Sequence, residues 1–154
     1  MLREETKISE EMKKLTDELS ILPLRGNVVF PSLIIPLVIT DQKYAKLIDD
    51  SLMGGKAIGL FAQKNTEAEN PGPDDIYKIG TAGTILKMLR FPDGSVRFLV
   101  QGLSRVRIKR FLKEDPFLFA KVEPLEDIIE ESVEMEALMR TILDLLKKVV
   151  NLAP

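Results

Sequence analysis

A proline inside an apolar segment is the feature that most constrains the fold of this sequence. Residues 22–39 contain two apolar segments, separated by an Arg-Gly-Asn turn and the sequence Val-Val-Phe-Pro, and Pro36 lies within the second segment. Proline has no backbone N–H to donate to a neighbouring strand, so a strand that contains it lies at the edge of a sheet or carries a bulge. The sequence therefore predicts that the strand with Pro36 either lies at the edge of a sheet or carries a bulge.

Six or seven short strands and one helix are predicted before residue 126. Asp41 is expected to cap the helix, because its side chain can accept from the free amides of the first turn, and the glycines at 54–55 are expected to end it. Pro-Asp-Gly at residues 92–94 lies between two apolar segments, which is typical of a hairpin turn. Together these elements predict an α+β fold in which the strands form a small mixed barrel or sandwich. The strand-like segments are residues 20–25, 33–40, 57–63, 79–91, 95–103, 105–109 and 118–122.

A longer helix is predicted after the strands, over residues 126–152. Six acidic residues and no basic one lie between residues 126 and 136, and acids at the start of a helix suit its dipole. Apolar residues then recur every three or four positions, which marks one face of a helix. Each is worth roughly 1.5–3 kcal/mol when buried, so we expect this face to pack on helices later in a longer chain, on a second copy, or on the strands of the same chain. Its residues are Met135, Leu138, Ile142, Leu145, Val149 and Leu152.

The residue inventory argues against an enzyme. The 154 residues include no histidine and no cysteine, which removes the commonest general base, the thiolate nucleophile, disulfides and most zinc ligands. There is no G-x-x-x-x-G-K-[ST] phosphate-binding loop, since the Gly-Lys pair at residues 55–56 is followed by Ala57, which has no hydroxyl to offer a metal ion. We therefore predict no catalytic residue, no metal site and no cofactor within this sequence.

Charge and hydropathy predict a cytoplasmic protein without a membrane partner. The formal net charge is -2, and no apolar run approaches the ~18 residues that a membrane span needs. The first seven residues are too charged for a secretory signal. The lack of cysteine fits a cytosolic origin.

Residues 87–113 are basic, with eight Lys or Arg residues and one acidic residue, Asp93. If residues 105–109 form a strand, Arg105, Arg107 and Lys109 point to one face, and such a face could bind nucleic acid. Aromatic side chains do not interleave with these cations, so the stacking that single-stranded nucleic acids use is not supplied. We therefore interpret the face as solvated surface rather than a nucleic-acid site.

Seven short motifs resemble, in their order and spacing, the N-terminal domain of the ATP-dependent Lon protease family. Each also has a structural use, because prolines shape sheet edges, glycines turn the chain and apolar residues fill a core. The resemblance covers roughly residues 20–125 and, less specifically, the helix after them. The motifs are Leu22-Pro23-Leu24-Arg25, Val29-Phe30-Pro31, Ile35-Pro36-Leu37, Ala62-Gln63-Lys64, Ile79-Gly80-Thr81, Phe91-Pro92-Asp93-Gly94 and Val100-Gln101-Gly102-Leu103-Ser104-Arg105.

The resemblance implies a PUA-like small β-barrel with one short helix, followed by a C-terminal helix that begins a helical domain. The corresponding division is a leader at 1–18, the PUA-like domain at 19–125 and the first part of the helical domain at 126–154. The implied function is that of a non-catalytic module of protein quality control, which recognises unfolded or damaged proteins and supports assembly of a homo-hexamer. The ATPase and the Ser-Lys peptidase of such a protease, with their ATP and magnesium, would lie further along a longer chain. Two alternatives stay open: a stand-alone protein of the same domain type, and an RNA-binding module of PUA-like fold.

The Val-Val-Phe-Pro sequence is the candidate contact surface for an unfolded substrate. If this sequence is exposed, Phe30 together with Ile34 and Pro36 offers an apolar patch to an extended segment. The alternative is that it packs beneath the strands and closes the core, which is the default for apolar residues. The predicted substrate-binding residues are Val28, Val29, Phe30, Pro31, Ile34 and Pro36.

Overall fold

Six strands and two helices make up the part of the chain that the computed structural model describes, residues 18–55 and 57–152. The α+β class predicted from the sequence is confirmed. The leader predicted for residues 1–18 lies outside the described residues except for Glu18. The strands are β1 (Glu18–Leu24), β2 (Ile34–Ile39), β3 (Ala57–Ala62), β4 (Ile79–Arg90), β5 (Val96–Lys113) and β6 (Phe119–Pro124), and the helices are α1 (Gln42–Met53) and α2 (Val133–Leu152).

The six strands form one sheet in the order β2-β5-β4-β3-β1-β6, with a further pairing between β5 and β6. The β1–β3 pair is parallel and the others are antiparallel. Among the described strands, β2 stands at the end of this order and pairs with β5 alone, where Pro36 lies opposite Leu99. Of the two possibilities that the missing N–H of Pro36 left open, an edge position or a bulge, the structure shows the edge position.

Strand β5 is a single strand of 18 residues, whereas the sequence predicted two shorter ones at 95–103 and 105–109. Its first part pairs with β2, its second part with β6, and most of its length with β4. The glycine and serine around residue 103 do not break the strand, because the β4–β5 register shifts between Ala82 and Gly83 and absorbs the irregularity.

Two clusters of buried side chains form the core. The first lies beneath α1 and includes residues of all the strands from β1 to β5, and α1 contributes Ala45, Leu47 and Ile48. Helix α1 is bounded as predicted: the Asp41 carboxylate accepts from the backbone N–H of Lys43 at 2.8 Å, and the helix closes at Gly54. The second cluster joins β1, β3 and β6 to the remainder of β4 and β5.

Helix α2 begins at Val133, seven residues later than the predicted start at 126. The hydroxyl of Ser132 accepts from the backbone N–H of Met135 at 3.1 Å, which is the cap that a serine supplies at a helix start. The acidic residues before it belong to an irregular connection. Within the described residues, neither α1 nor α2 combines the length and apolar character needed to cross a membrane.

Candidate functional site

The loop between β1 and β2 exposes some of the predicted contact residues and buries another. Val28 and Phe30 are exposed, with 61% and 58% of their surface accessible, whereas Val29 is 3% exposed and belongs to the first core cluster. The Thr81 hydroxyl donates to the backbone carbonyl of Val29 at 2.6 Å and holds the loop against the sheet. The prediction that Val29 forms part of an exposed patch is therefore wrong, because its side chain fills the core between two exposed neighbours.

The same loop is fixed to β5 at Gly102. The backbone N–H of Ser32 donates to the Gly102 carbonyl, and the Gly102 N–H donates to the Leu33 carbonyl, each at 2.9 Å. A Cβ on Gly102 would overlap the carbonyl group of Phe30. The chain reverses at Ser32, which has a positive φ of 67°. The absence of a side chain at Gly102 thus lets the loop lie close to β5, and this contact fixes the position of Phe30.

We expect Gly102→Ala to destabilise the protein by about 1–3 kcal/mol, since the added methyl group must displace the backbone of the loop. Denaturant unfolding followed by circular dichroism measures this loss. Gly72→Ala is the matched control, because the nearest atom to its Cβ would be a side-chain oxygen of Asp75 at 3.7 Å. Equal unfolding free energies for the two variants would contradict the proposed packing.

One face of the β2-β5-β4 part of the sheet, which we term the outer face, carries exposed apolar side chains. Side chains of directly paired residues point to the same side of a sheet, and here the pairs bring β2 residues beside β5 and β4 residues in three rows. The apolar members are all exposed. Clusters of exposed apolar residues mark contact sites for other molecules. The rows are Ile34, Gln101 and Thr84; Pro36, Leu99 and Lys87; and Val38, Arg97 and Leu89.

Two predicted residues, Ile34 and Pro36, lie on the outer face, and the loop that carries Phe30 adjoins it at Ile34. Val38 and Leu99 also belong to this face, although the sequence analysis did not select them. The alternation in β2 could have indicated Val38, because it lies two residues beyond Pro36 and so points to the same side.

A groove with a volume of about 690 Å³ runs along the free edge of β2. One side is formed by residues 36–40, and the other by the end of β1 and by residues 69–71. Arg25 and Gln63 hold that second side in place, because each donates a side-chain N–H to the carbonyl of Ala68 at 3.1 Å. These contacts build a wall opposite β2 that no local sequence pattern indicated.

The groove has a weakly acidic character. The carboxylates of Asp41 and Glu69 and the guanidinium of Arg25 line it together with Tyr44. Burial raises the pKa of the Tyr44 phenol above its ordinary value of 10.0, Asp41 raises it further and Arg25 opposes both, so the phenol is a neutral hydrogen-bond donor at pH 7. In residues 18–55 and 57–152, no three His, Cys, Asp or Glu side chains come together to hold a metal ion.

The basic face predicted on residues 105–109 is paired with carboxylates. Arg105 forms an ion pair with Asp127, and Glu123 lies 3.6 Å from Arg107 and 2.9 Å from Lys109. All three cations are about half exposed, so the pairs are weak individually. Their carboxylate partners nevertheless reduce the positive potential, which supports the interpretation of this face as solvated surface.

The apolar face of α2 is exposed along its length. None of the 20 residues of α2 is buried, and the six predicted packing residues, from Met135 to Leu152, are all exposed. Three further exposed apolar residues lie beside these six, so the apolar face covers about half of the helix circumference. They are Met139, Leu143 and Leu146. Within the described chain, α2 therefore has an apolar face that the strands do not bury.

Sequence comparison relates the chain to one family. The profile described as the ATP-dependent protease La (LON) substrate-binding domain matches residues 18–154. The Lon protease of Dictyoglomus thermophilum is 46% identical over 144 residues, which cover 94% of this chain and 18% of that protease. The Lon protease of Trichlorobacter lovleyi is 40% identical over 150 residues, covering 97% and 18%. The chain thus spans about 18% of the length of these curated relatives.

Two solved structures share the fold. The N-terminal domain of the Mycobacterium avium complex Lon protease matches with a TM-score of 0.67 and 19% identity, over 87% of this chain and 68% of that one. The Lon N-terminal domain protein from Xanthomonas campestris matches with a TM-score of 0.64 and 23% identity, over 82% and 71%. At these identities the likeness establishes the arrangement of strands and helices.

Proposed function

This chain belongs to the Lon substrate-binding domain family, and from that premise we propose that it recognises exposed apolar segments of unfolded or damaged proteins. The observation that carries the proposal is the outer face, where apolar side chains of three strands stay exposed beside Phe30. Unfolded proteins expose the apolar residues that folded ones bury, and covering such surface is worth about 25 cal/mol per Å². Binding of an unfolded segment to the outer face needs no chemical step.

The proposed role is non-catalytic and belongs to a larger machine. In a full-length Lon protease, an ATPase with ATP and magnesium and a Ser-Lys peptidase would act on what this domain binds. We expect weak binding by one isolated domain, because several domains in a homo-hexamer would engage one substrate together and raise the overall affinity. A cytoplasmic location is part of the same proposal.

Phe30→Asp tests the contact surface. We expect crosslinking of the protein to a reduced and alkylated, hence unfolded, protein to fall several-fold, because a carboxylate replaces an exposed ring at the end of the outer face. The melting temperature should stay nearly unchanged, since Phe30 is more than half exposed and surface substitutions usually cost within 0.5 kcal/mol.

Lys113→Asp is a suitable control, since it changes an exposed residue at the far end of β5 and should leave crosslinking unchanged. Undiminished crosslinking of the Phe30 variant would remove this residue from the contact surface. Loss of crosslinking in both variants would point to general charge repulsion instead of an apolar contact.

A further inference from the structure

The hydrogen-bonding pattern of β2 determines which backbone groups face its free edge. Gly102 donates to the carbonyl of Leu33, so the polar backbone groups of Leu33 point toward β5. In an antiparallel pair this direction alternates along the strand. The backbone groups of Ile34, Pro36 and Val38 therefore point away from β5, which agrees with the missing N–H of Pro36.

The free edge of β2 thus presents the N–H and carbonyl of Val38 and the carbonyl of Pro36. In the described residues, β5 is the one strand that pairs with β2. An open row of donors and acceptors on an edge strand is a template for another strand. Because Pro36 interrupts the row of donors, it limits pairing with a long strand while it leaves the groups around Val38 available.

The groove is placed to accept one extended chain beside this edge. Residues 36–40 form one side, and residues 69–71 with the end of β1 form the other. Its volume of about 690 Å³ lies within the roughly 300–1,000 Å³ typical of ligand sites. Tyr44 and Asn27 add polar side chains to the lining, and these suit a backbone more than an apolar cofactor.

We propose that an extended segment of an unfolded protein adds to the free edge of β2 as a further strand, in the groove between β2 and residues 69–71. The proposal rests on the function proposed above and specifies how the segment is held. Backbone hydrogen bonds to Val38 and to the Pro36 carbonyl give binding that does not depend on sequence, as in other cases of strand addition. Alternate side chains of the segment then lie on the outer face beside Ile34, Pro36 and Val38.

The charges in the groove favour one class of segment. Two acidic residues, Asp41 and Glu69, and one basic residue, Arg25, line the groove, and Arg25 already donates to the carbonyl of Ala68. Segments that alternate apolar and basic residues therefore complement the groove, whereas segments that alternate apolar and acidic residues are repelled. We expect a labelled peptide of alternating valine and lysine to bind more tightly than its valine–glutamate counterpart.

Val38→Pro tests strand addition directly, with Val38→Thr as the matched control. Proline removes the outward N–H and places its ring where the added strand would lie, while threonine keeps the N–H and nearly the same shape. The β2–β5 ladder should survive, because Pro36 already occupies an equivalent outward position. Fluorescence anisotropy of the labelled valine–lysine peptide should show at least about tenfold weaker binding to the proline variant than to the threonine variant, because the two variants differ mainly in the outward N–H.

Hydrogen exchange on the unmodified protein provides a second measurement that does not depend on the folding of a variant. Peptide binding should slow exchange of the Val38 amide and leave the already paired Leu37 amide unchanged. Equal affinities of the proline and threonine variants, or no added protection of Val38, would overturn strand addition and leave peptide binding by the outer face intact. Failure of the unmodified protein to bind either peptide or unfolded protein would instead overturn the proposed function.

Discussion

Replacing Val29 with aspartate is expected to unfold the protein. Val29 is 3% exposed and packs in the first core cluster, so the carboxylate would replace an apolar side chain where no water can solvate it. Burying a polar group without partners costs about 2–7 kcal/mol and an unpaired charge costs more, while a domain is typically stable by about 5–15 kcal/mol. Circular dichroism and denaturant titration should show loss of the cooperative transition, or a midpoint shifted far toward zero denaturant.

The same substitution one residue further along is the control. Phe30→Asp adds the same charge to the same loop, and Phe30 is exposed, so this variant should unfold near the midpoint of the unmodified protein. If both variants are as stable as the unmodified protein, the burial of Val29 is contradicted. If both variants are unfolded, the loop tolerates no charge, and Phe30 is no longer assigned as a contact residue.

Joint replacement of Ile142 and Leu145 by glutamate is expected to abolish self-association of the protein. We propose that the uncovered apolar face of α2 packs on the corresponding face of a second copy, since its three- and four-residue spacing is the one that helices use to pack on helices. Both residues are more than half exposed in the single chain, so folding should be unaffected. Sedimentation analysis over a wide concentration range should show a dimer for the unmodified protein and a monomer for the variant.

Ala137→Glu with Thr141→Glu is the matched control, because it adds the same two charges to α2 outside the apolar face. This control should still dimerise. If the unmodified protein stays monomeric at every concentration, α2 does not mediate self-association, and the face would be left for helices of a longer chain. Dissociation by both pairs of substitutions would indicate that added charge, rather than loss of apolar contact, separates the copies.

The features predicted correctly from the sequence depend on the chemistry of single residues. The edge position of β2 is one of the two arrangements that the missing N–H of Pro36 allows, and the limits of α1 follow from a carboxylate at Asp41 and a glycine at Gly54. These local causes act in the same way in most folds. They could therefore be inferred before any partner strand was known.

The features that the sequence did not reveal depend on distant partners. Val29 turns inward because it is tied to Thr81, 52 residues away, and its neighbours on both sides are equally apolar. The unbroken course of β5 through Gly102 depends on a register shift in β4. The wall of the groove depends on contacts of Arg25 with Ala68. Each of these needs the pairing of strands that are far apart in sequence, which residue spacing alone does not encode.

The pairing of β1 with β6 has a mechanical consequence. Glu18, where β1 begins, lies opposite Lys121 in the middle of β6, and β6 ends at Pro124, so the chain enters and leaves the sheet on the same side. Tension applied at Glu18 would load the short β1–β6 ladder first, whereas tension applied at Pro124 would load its pairing with Val106 of β5. The edge strand β2 pairs with the opposite half of β5 and would stay unstrained.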